Sequence, residues 1–205
     1  MPLQNRVLPT GDIVSDPARG TVMGNRGGRL HGPDRRLGPT RWRSKAWICC
    51  ALSFRGRHRR IMSPASYTEL FFLDEAVALA AGHRPCAECR HAAWGAFRAA
   101  WAEAHGGPAR AGQIDAALHA ARIGQDRRQI RHAAPMDALP DGAFVRHDGW
   151  PCLVRADALR PFSPGGYGPP LPRPPGTAQV LTPAPTVAAL ASGYAPALHP
   201  SADAA

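Results

Sequence analysis

The sequence is short of lysine, of long apolar runs and of evenly paired cysteines, and each shortage excludes something. Lys45 is the one lysine among 25 basic residues. Recognition of phosphates or guanine edges would therefore fall to arginine forks rather than to ammonium point charges. No run approaches the roughly 18 apolar residues that a membrane span requires. The opening stretch, MPLQNRVLPTGDIV, has no continuous apolar core of the secretory kind, so the cytoplasm is the expected compartment. Five cysteines in such a chain argue against a disulfide framework and for metal binding or free thiols. No internal repeat is found. With 205 residues and 44% apolar content, a packed core is within reach and wholesale disorder is not expected.

The net charge of +10 is placed unevenly. Residues 1–63 hold thirteen of the basic residues against three acidic ones, and the remainder hold twelve of each. A genomic bias towards arginine would explain arginine over lysine, but not an excess confined to one end. The asymmetry points to an acidic partner, most simply nucleic acid, DNA first.

Residues 1–46 form a basic Gly/Arg-rich segment without a sustained period, read as loops and short strands docked on the rest or as a flexible basic arm. From Trp47, WICCALSF and RHRRIM flank Gly56 and predict a hairpin with strands near 46–54 and 58–63. Asp74 is the expected N-cap of a short helix that Gly82 closes. Trp94, Phe97 and Trp101 fall at helical spacing in a helix ending near His105, where Gly106, Gly107 and Pro108 stop it. Another helix is expected over 113–123. Asp148-Gly149 between two apolar runs predicts a second hairpin, with Cys152 in its core. Residues 161–200 hold eleven of the 22 prolines and read as an extended crossing, with a last strand at QVL and a short helix that Gly193 closes. The fold class is therefore α+β: a small zinc-stapled hairpin/helix module over 47–108, packed with the helix, hairpin and Pro-rich region of 109–205.

The chemistry concentrates in GHRPCAECRH. Cys86 and Cys89 stand two residues apart at the start of a helix, a spacing that supplies two zinc ligands and a helix terminus that favours thiolates. A redox dithiol would need a preceding parallel strand in a βαβ unit, and a short helix and tight turn stand there instead. Upstream, Cys49 and Cys50 are adjacent in WICC. Neighbours in a strand face opposite ways, so a straight strand offers one of them. The face of Cys49 is the less apolar. Cys50 shares its side with Ile48, Leu52 and Phe54 and reads as a small core residue. His31, in a Gly-rich loop, is the first candidate for a further ligand, with His58, His83 and His91 as rivals.

FFLDEAVALAAGHRPCAECR, residues 71–90, resembles the second half of the metal-binding domain of the Ada DNA-repair protein. There a double aromatic, a short Ala/Glu-rich helix and a Gly-aromatic-Arg-Pro-Cys-x-x-Cys-Arg run follow one another. His83 stands where that family has an aromatic residue. The resemblance covers about 45 of the 205 residues and implies Zn2+ on Cys86 and Cys89. It also implies two upstream cysteine ligands separated by three residues, of which Cys49 matches the first in position; the second has no counterpart. Taken end to end, the chain also resembles a group of bacterial proteins, which implies no activity.

Three functions are thus carried forward. One is a zinc-stapled protein that binds nucleic acid through Arg41, Arg43, Arg55, Arg57, Arg59 and Arg60. Another is an enzyme acting on nucleic acid, with Cys49 or Cys50 as nucleophile or His31, His58 or His119 as base. Asp115 and His119, one helical turn apart, are a candidate acid–base pair for it, or a surface contact. The third is an interaction module whose Pro-rich C-terminal region carries the partner surface.

Overall fold

The computed structural model describes residues 1–56 and 60–204. The chain begins with β1 (Gln4–Val7), β2 (Ile13–Ser15) and β3 (Val22–Asn25), then β4 (Ile48–Ala51), β5 (Leu70–Phe72), α1 (Glu75–Ala80), β6 (Arg84–Pro85), α2 (His91–His105) and α3 (Ala111–Arg122). It continues with β7 (His132–Pro135), β8 (Phe144–His147), β9 (Trp150–Arg155), β10 (Ala158–Ser163), β11 (Gly166–Tyr167), β12 (Leu171–Pro172), β13 (Thr177–Val180) and α4 (Ala184–Ala191). The class is α+β, with two sheets. No helix among the described residues is long and apolar enough to cross a membrane.

The first sheet runs in the order β2-β1-β5-β3-β4-β6. The basic N-terminal segment supplies three of its strands, so it is docked as short strands rather than free as an arm. The expected hairpin across Gly56 is not formed by β4. Both edges of β4 are taken, by β3 antiparallel and by β6 parallel. Residues 60–63 are not in a strand, and Arg57, His58 and Arg59 lie outside the described residues. The reason is burial: β3 offers β4 a partner inside the core, which a solvent-side return strand does not.

The second sheet is antiparallel, in the order β11-β10-β9-β8-β13-β7, with β12 also on β10. Its hairpin turns at Asp148 and Gly149, both at positive φ, as two-residue turns of this kind require. The sheet is covered on both sides. Val145, Cys152, Val154, Leu159 and Val180 face Trp94, Phe97, Trp101, Ile114 and Leu118 of α2 and α3. Phe144, Leu153, Phe162 and Leu181 face α1 and the first sheet. The two sheets therefore share α1 between them.

The Pro-rich C-terminal region belongs to this core. Tyr167, Leu181, Leu190, Tyr194 and Ala202 are buried. Two adjacent carboxylates at the start of α1 hold it. Asp74 caps the helix, accepting from Val77 N at 3.0 Å, and its other oxygen accepts from Tyr167 Oη at 2.8 Å and His199 N at 2.9 Å. Glu75 accepts from Tyr194 Oη at 2.6 Å and Ala197 N at 2.9 Å. Gly82 ends the helical segment at positive φ (83°), and an added Cβ there would collide with the Arg122 side chain.

Candidate metal centre

The parallel pairing of β4 with β6 sets the site. Ile48 lies opposite Arg84 and Cys49 opposite Pro85, and Cys86 N donates to Cys49 O at 2.9 Å. The Cys-x-x-Cys turn thus leaves β6 alongside the end of β4 and leads into α2. Across that seam the ligand atoms of Cys50, Cys86 and Cys89 lie within 4.8 Å of one another. A tetrahedral metal with bonds of about 2.3 Å holds its sulfurs about 3.8 Å apart, so the three lie close enough to hold a metal ion.

The turn is built for thiolates. Backbone N–H groups of Cys89 and Glu88 point at the Cys86 sulfur, and Ala51 N donates to Cys89 Sγ at 3.3 Å. Cys86 is the anionic member: the hydrogen bond from Cys50, then those backbone donors, bring its thiol down to about 5. Cys50 is pushed up by the same hydrogen bond and by burial, and Cys89 chiefly by burial. A divalent cation would take the place of the protons that remain on the set.

The sulfurs open on a cavity of about 380 Å³ walled by Asn25, Ile48, Tyr67, Glu69 and Phe71 among others. Both Glu69 oxygens are engaged, by Met62 N at 2.7 Å and Ser66 Oγ at 3.3 Å. That carboxylate therefore shapes the wall.

The two adjacent cysteines face apart, as the strand demands, but the buried side is the reverse of the one read from the sequence. Trp47 and Cys49 point into the core; Ile48 and Cys50 are half-buried and wall the cavity, and Leu52 is exposed. Apolar content misassigned the faces because Ile48 and Leu52 border a cavity, not the core. Cys49 Sγ accepts from Arg90 Nη1 at 3.3 Å, and burial pushes its thiol up. Arg90 in turn chelates Glu75 at 2.7 and 2.8 Å.

Among the described residues the other sequence candidates do not join the three sulfurs, and His58 lies outside the described residues. His31 is buried, with Nδ1 2.6 Å from Thr68 Oγ1 and Nε2 3.2 Å from Ser63 O. His83 fills the slot of an aromatic residue, with its ring 4.7 Å from Phe72 and 5.2 Å from Trp47. Burial, then Arg26 and Arg122, hold it well below the usual histidine range, so it is neutral. His91 is exposed at the start of α2. Asp115 and His119 make no acid–base pair: Asp115 chelates Arg84 at 2.8 and 2.9 Å, and His119 Nδ1 lies 3.2 Å from Arg122 Nη2. Cys152 is buried, as expected, and burial raises its thiol to about 11.

The arginines are dispersed. Arg43, Arg55 and Arg60 are exposed, the last two next to the cavity-lining Phe54 and Ile61. Arg41 lines a different cleft, together with Arg26 and Arg122. Sequence reasoning missed Arg26 and Arg122. The one local signal was the basic run QDRRQIR, which lies outside the charged N-terminal third. Comparison with protein-family models, with curated proteins and with solved structures finds no match for this chain.

Proposed function

We propose that the protein is a zinc-binding protein that engages nucleic acid, with Zn2+ held by Cys50, Cys86 and Cys89. The observation that carries this reading is the convergence of three sulfurs within 4.8 Å of one another. Thiolate-rich sets suit zinc over the hard cations. The resemblance of residues 71–90 to the Ada module supports the same two downstream ligands. The sulfur set has Cys50 in the upstream role, where the resemblance alone matches Cys49, and the phosphotriester chemistry of that family is not part of the proposal.

The chain's own residues set the metal's surroundings. Backbone donors fix the sulfurs of Cys86 and Cys89, and the cavity wall leaves one side of the set accessible. With three protein ligands the ion would keep a position open to water or a substrate atom, and with a fourth it would serve as a staple. The nucleic-acid half rests on the excess of ten positive charges in residues 1–63. Exposed Arg55 and Arg60 adjoin a cavity wall that carries Phe54, Tyr67 and Phe71, surfaces on which an unpaired base stacks.

Elemental analysis of the purified protein tests the metal half. Stoichiometric zinc is expected in the wild type and after Cys49→Ser, Cys152→Ser or His31→Ala, and its loss after Cys50→Ser, Cys86→Ser or Cys89→Ser. A wild type without stoichiometric metal, or equal loss from Cys49→Ser and Cys50→Ser, overturns it. A salt titration of DNA binding tests the other half, and no detectable affinity at low salt ends it. A second reading, a zinc enzyme acting on nucleic acid, is favoured by three ligands facing a cavity where a closed set would have four. Cobalt spectra that shift on adding anions would mark the open position.

A further inference from the structure

Strand alternation gives the β3–β4 pair two working sides. Asn25 and Ile48 wall the cysteine cavity, while their neighbours Arg26 and Trp47 wall a second cleft of about 580 Å³. Seven arginines line this cleft: Arg26 and Arg122, both buried, and Arg41, Arg127, Arg128, Arg131 and Arg146. Two carboxylates, Asp12 and Asp126, oppose them.

The two buried guanidinium groups are held but not neutralised. Both lie over the Trp47 indole, at 4.0 Å for Arg26 and 3.9 Å for Arg122. Arg26 donates to Gly11 O at 3.0 Å, and Arg122 to Gly82 O at 2.6 Å and Lys45 O at 2.7 Å. Among the described residues neither has an ion pair, and Arg122 Nε is buried without a hydrogen-bond partner. Burial first brings each down to about 9; repulsion from neighbouring arginines adds to it, and the more distant Asp115 for Arg122 and Asp12 for Arg26 offset it only in part. A purely structural role would be better served by a paired or uncharged side chain, because a buried cation without a counter-ion is costly. The missing partner is an anion with several acceptor oxygens.

We infer that this cleft binds a phosphate-bearing ligand, its phosphoryl oxygens received by Arg122, Arg26 and the arginines around them. The guanidinium fork matches phosphate oxygens. Trp42, half-buried in the wall, offers a flat surface to the organic part. A free nucleotide and a single nucleic-acid strand share this chemistry, whereas a rigid duplex does not enter a concave site of this size. The inference is independent of the metal centre.

Calorimetric titration with inorganic pyrophosphate, ATP and a short single-stranded oligonucleotide tests it. Pyrophosphate binding that weakens with salt is expected. The exposed pair Arg41→Gln/Arg128→Gln should weaken it about tenfold or more with an unchanged melting temperature. Arg36→Gln/Arg98→Gln, which removes the same charge elsewhere on the surface, should leave it intact. Tighter binding of ATP than of oligonucleotide identifies a free nucleotide as the source, and the reverse identifies a strand. No binding of any of the three probes at low ionic strength overturns the inference, and so does equal weakening by the two double variants.

Discussion

Glu75→Ala is the substitution that most directly tests how the C-terminal region is held. The carboxylate is buried, faces Arg90 at 2.7 and 2.8 Å, and accepts from Tyr194 Oη at 2.6 Å and Ala197 N at 2.9 Å. Its removal leaves a partly buried guanidinium, a buried phenol and a backbone N–H without their acceptor. Breaking a buried pair in this way costs about 3–5 kcal/mol. At roughly 2–4 °C of melting temperature per kcal/mol for a chain of this size, the transition should fall by about 10 °C. Equilibrium urea unfolding measures the change. Glu75→Gln, which keeps an acceptor for Tyr194 but loses the charge, should fall between. Asp141→Ala is the control: its contact with Arg155 at 2.8 Å is half exposed, and such pairs contribute about 1 kcal/mol or less. If Glu75→Ala costs no more than Asp141→Ala, the carboxylate does not anchor the region and the reasoning fails.

Further outcomes follow from other sites. Folded His83 stays neutral where the unfolded histidine titrates near 6.5. The unfolded chain therefore binds the extra proton, and stability should fall as pH drops below 6.5 towards the lower folded value. His83→Phe should flatten that part of the stability–pH curve; an unchanged slope refutes the assignment. Gly82→Ala should destabilise by about 2 kcal/mol or more, through positive φ and collision with Arg122, and urea unfolding would show it. In metal-free protein, alkylation followed by mass spectrometry should label Cys86, the thiolate of the cavity-facing set, well before the fully buried Cys49 and Cys152. Added zinc should protect Cys50, Cys86 and Cys89 together.

What could be read from the sequence was local. Asp148-Gly149 announces its turn because both residues sit at positive φ, and few residue types do so cheaply. Trp94, Phe97 and Trp101 reveal α2 because one helix face must be apolar. Asp74 declares the cap it provides. Cys86 and Cys89 were legible as candidate ligands because their spacing is itself the geometry. What stayed hidden depends on distant segments. The partner of β4 is β3, so the strand's inner side was decided by residues far upstream, and with it the choice between Cys49 and Cys50. The arginine cleft joins the ends of β3 and α3, two places that no local pattern connects. Charge counting located an excess in the N-terminal third, but Arg122 and the 127–131 run meet Arg26 only in three dimensions.

The Cys49 side of β4 has a temporal consequence. Arg90, one residue past the last cysteine of the turn, is gripped by Glu75, and Glu75 is completed by Tyr194 and Ala197. During synthesis the cysteine turn leaves the ribosome long before these two residues do. Until they arrive, Glu75 lacks two of its partners and the C-terminal region has nothing to close on. The three sulfurs, by contrast, are gathered by the pairing of β4 with β6 and by local backbone donors. The cysteine set should therefore form before the region that buries Glu75 does.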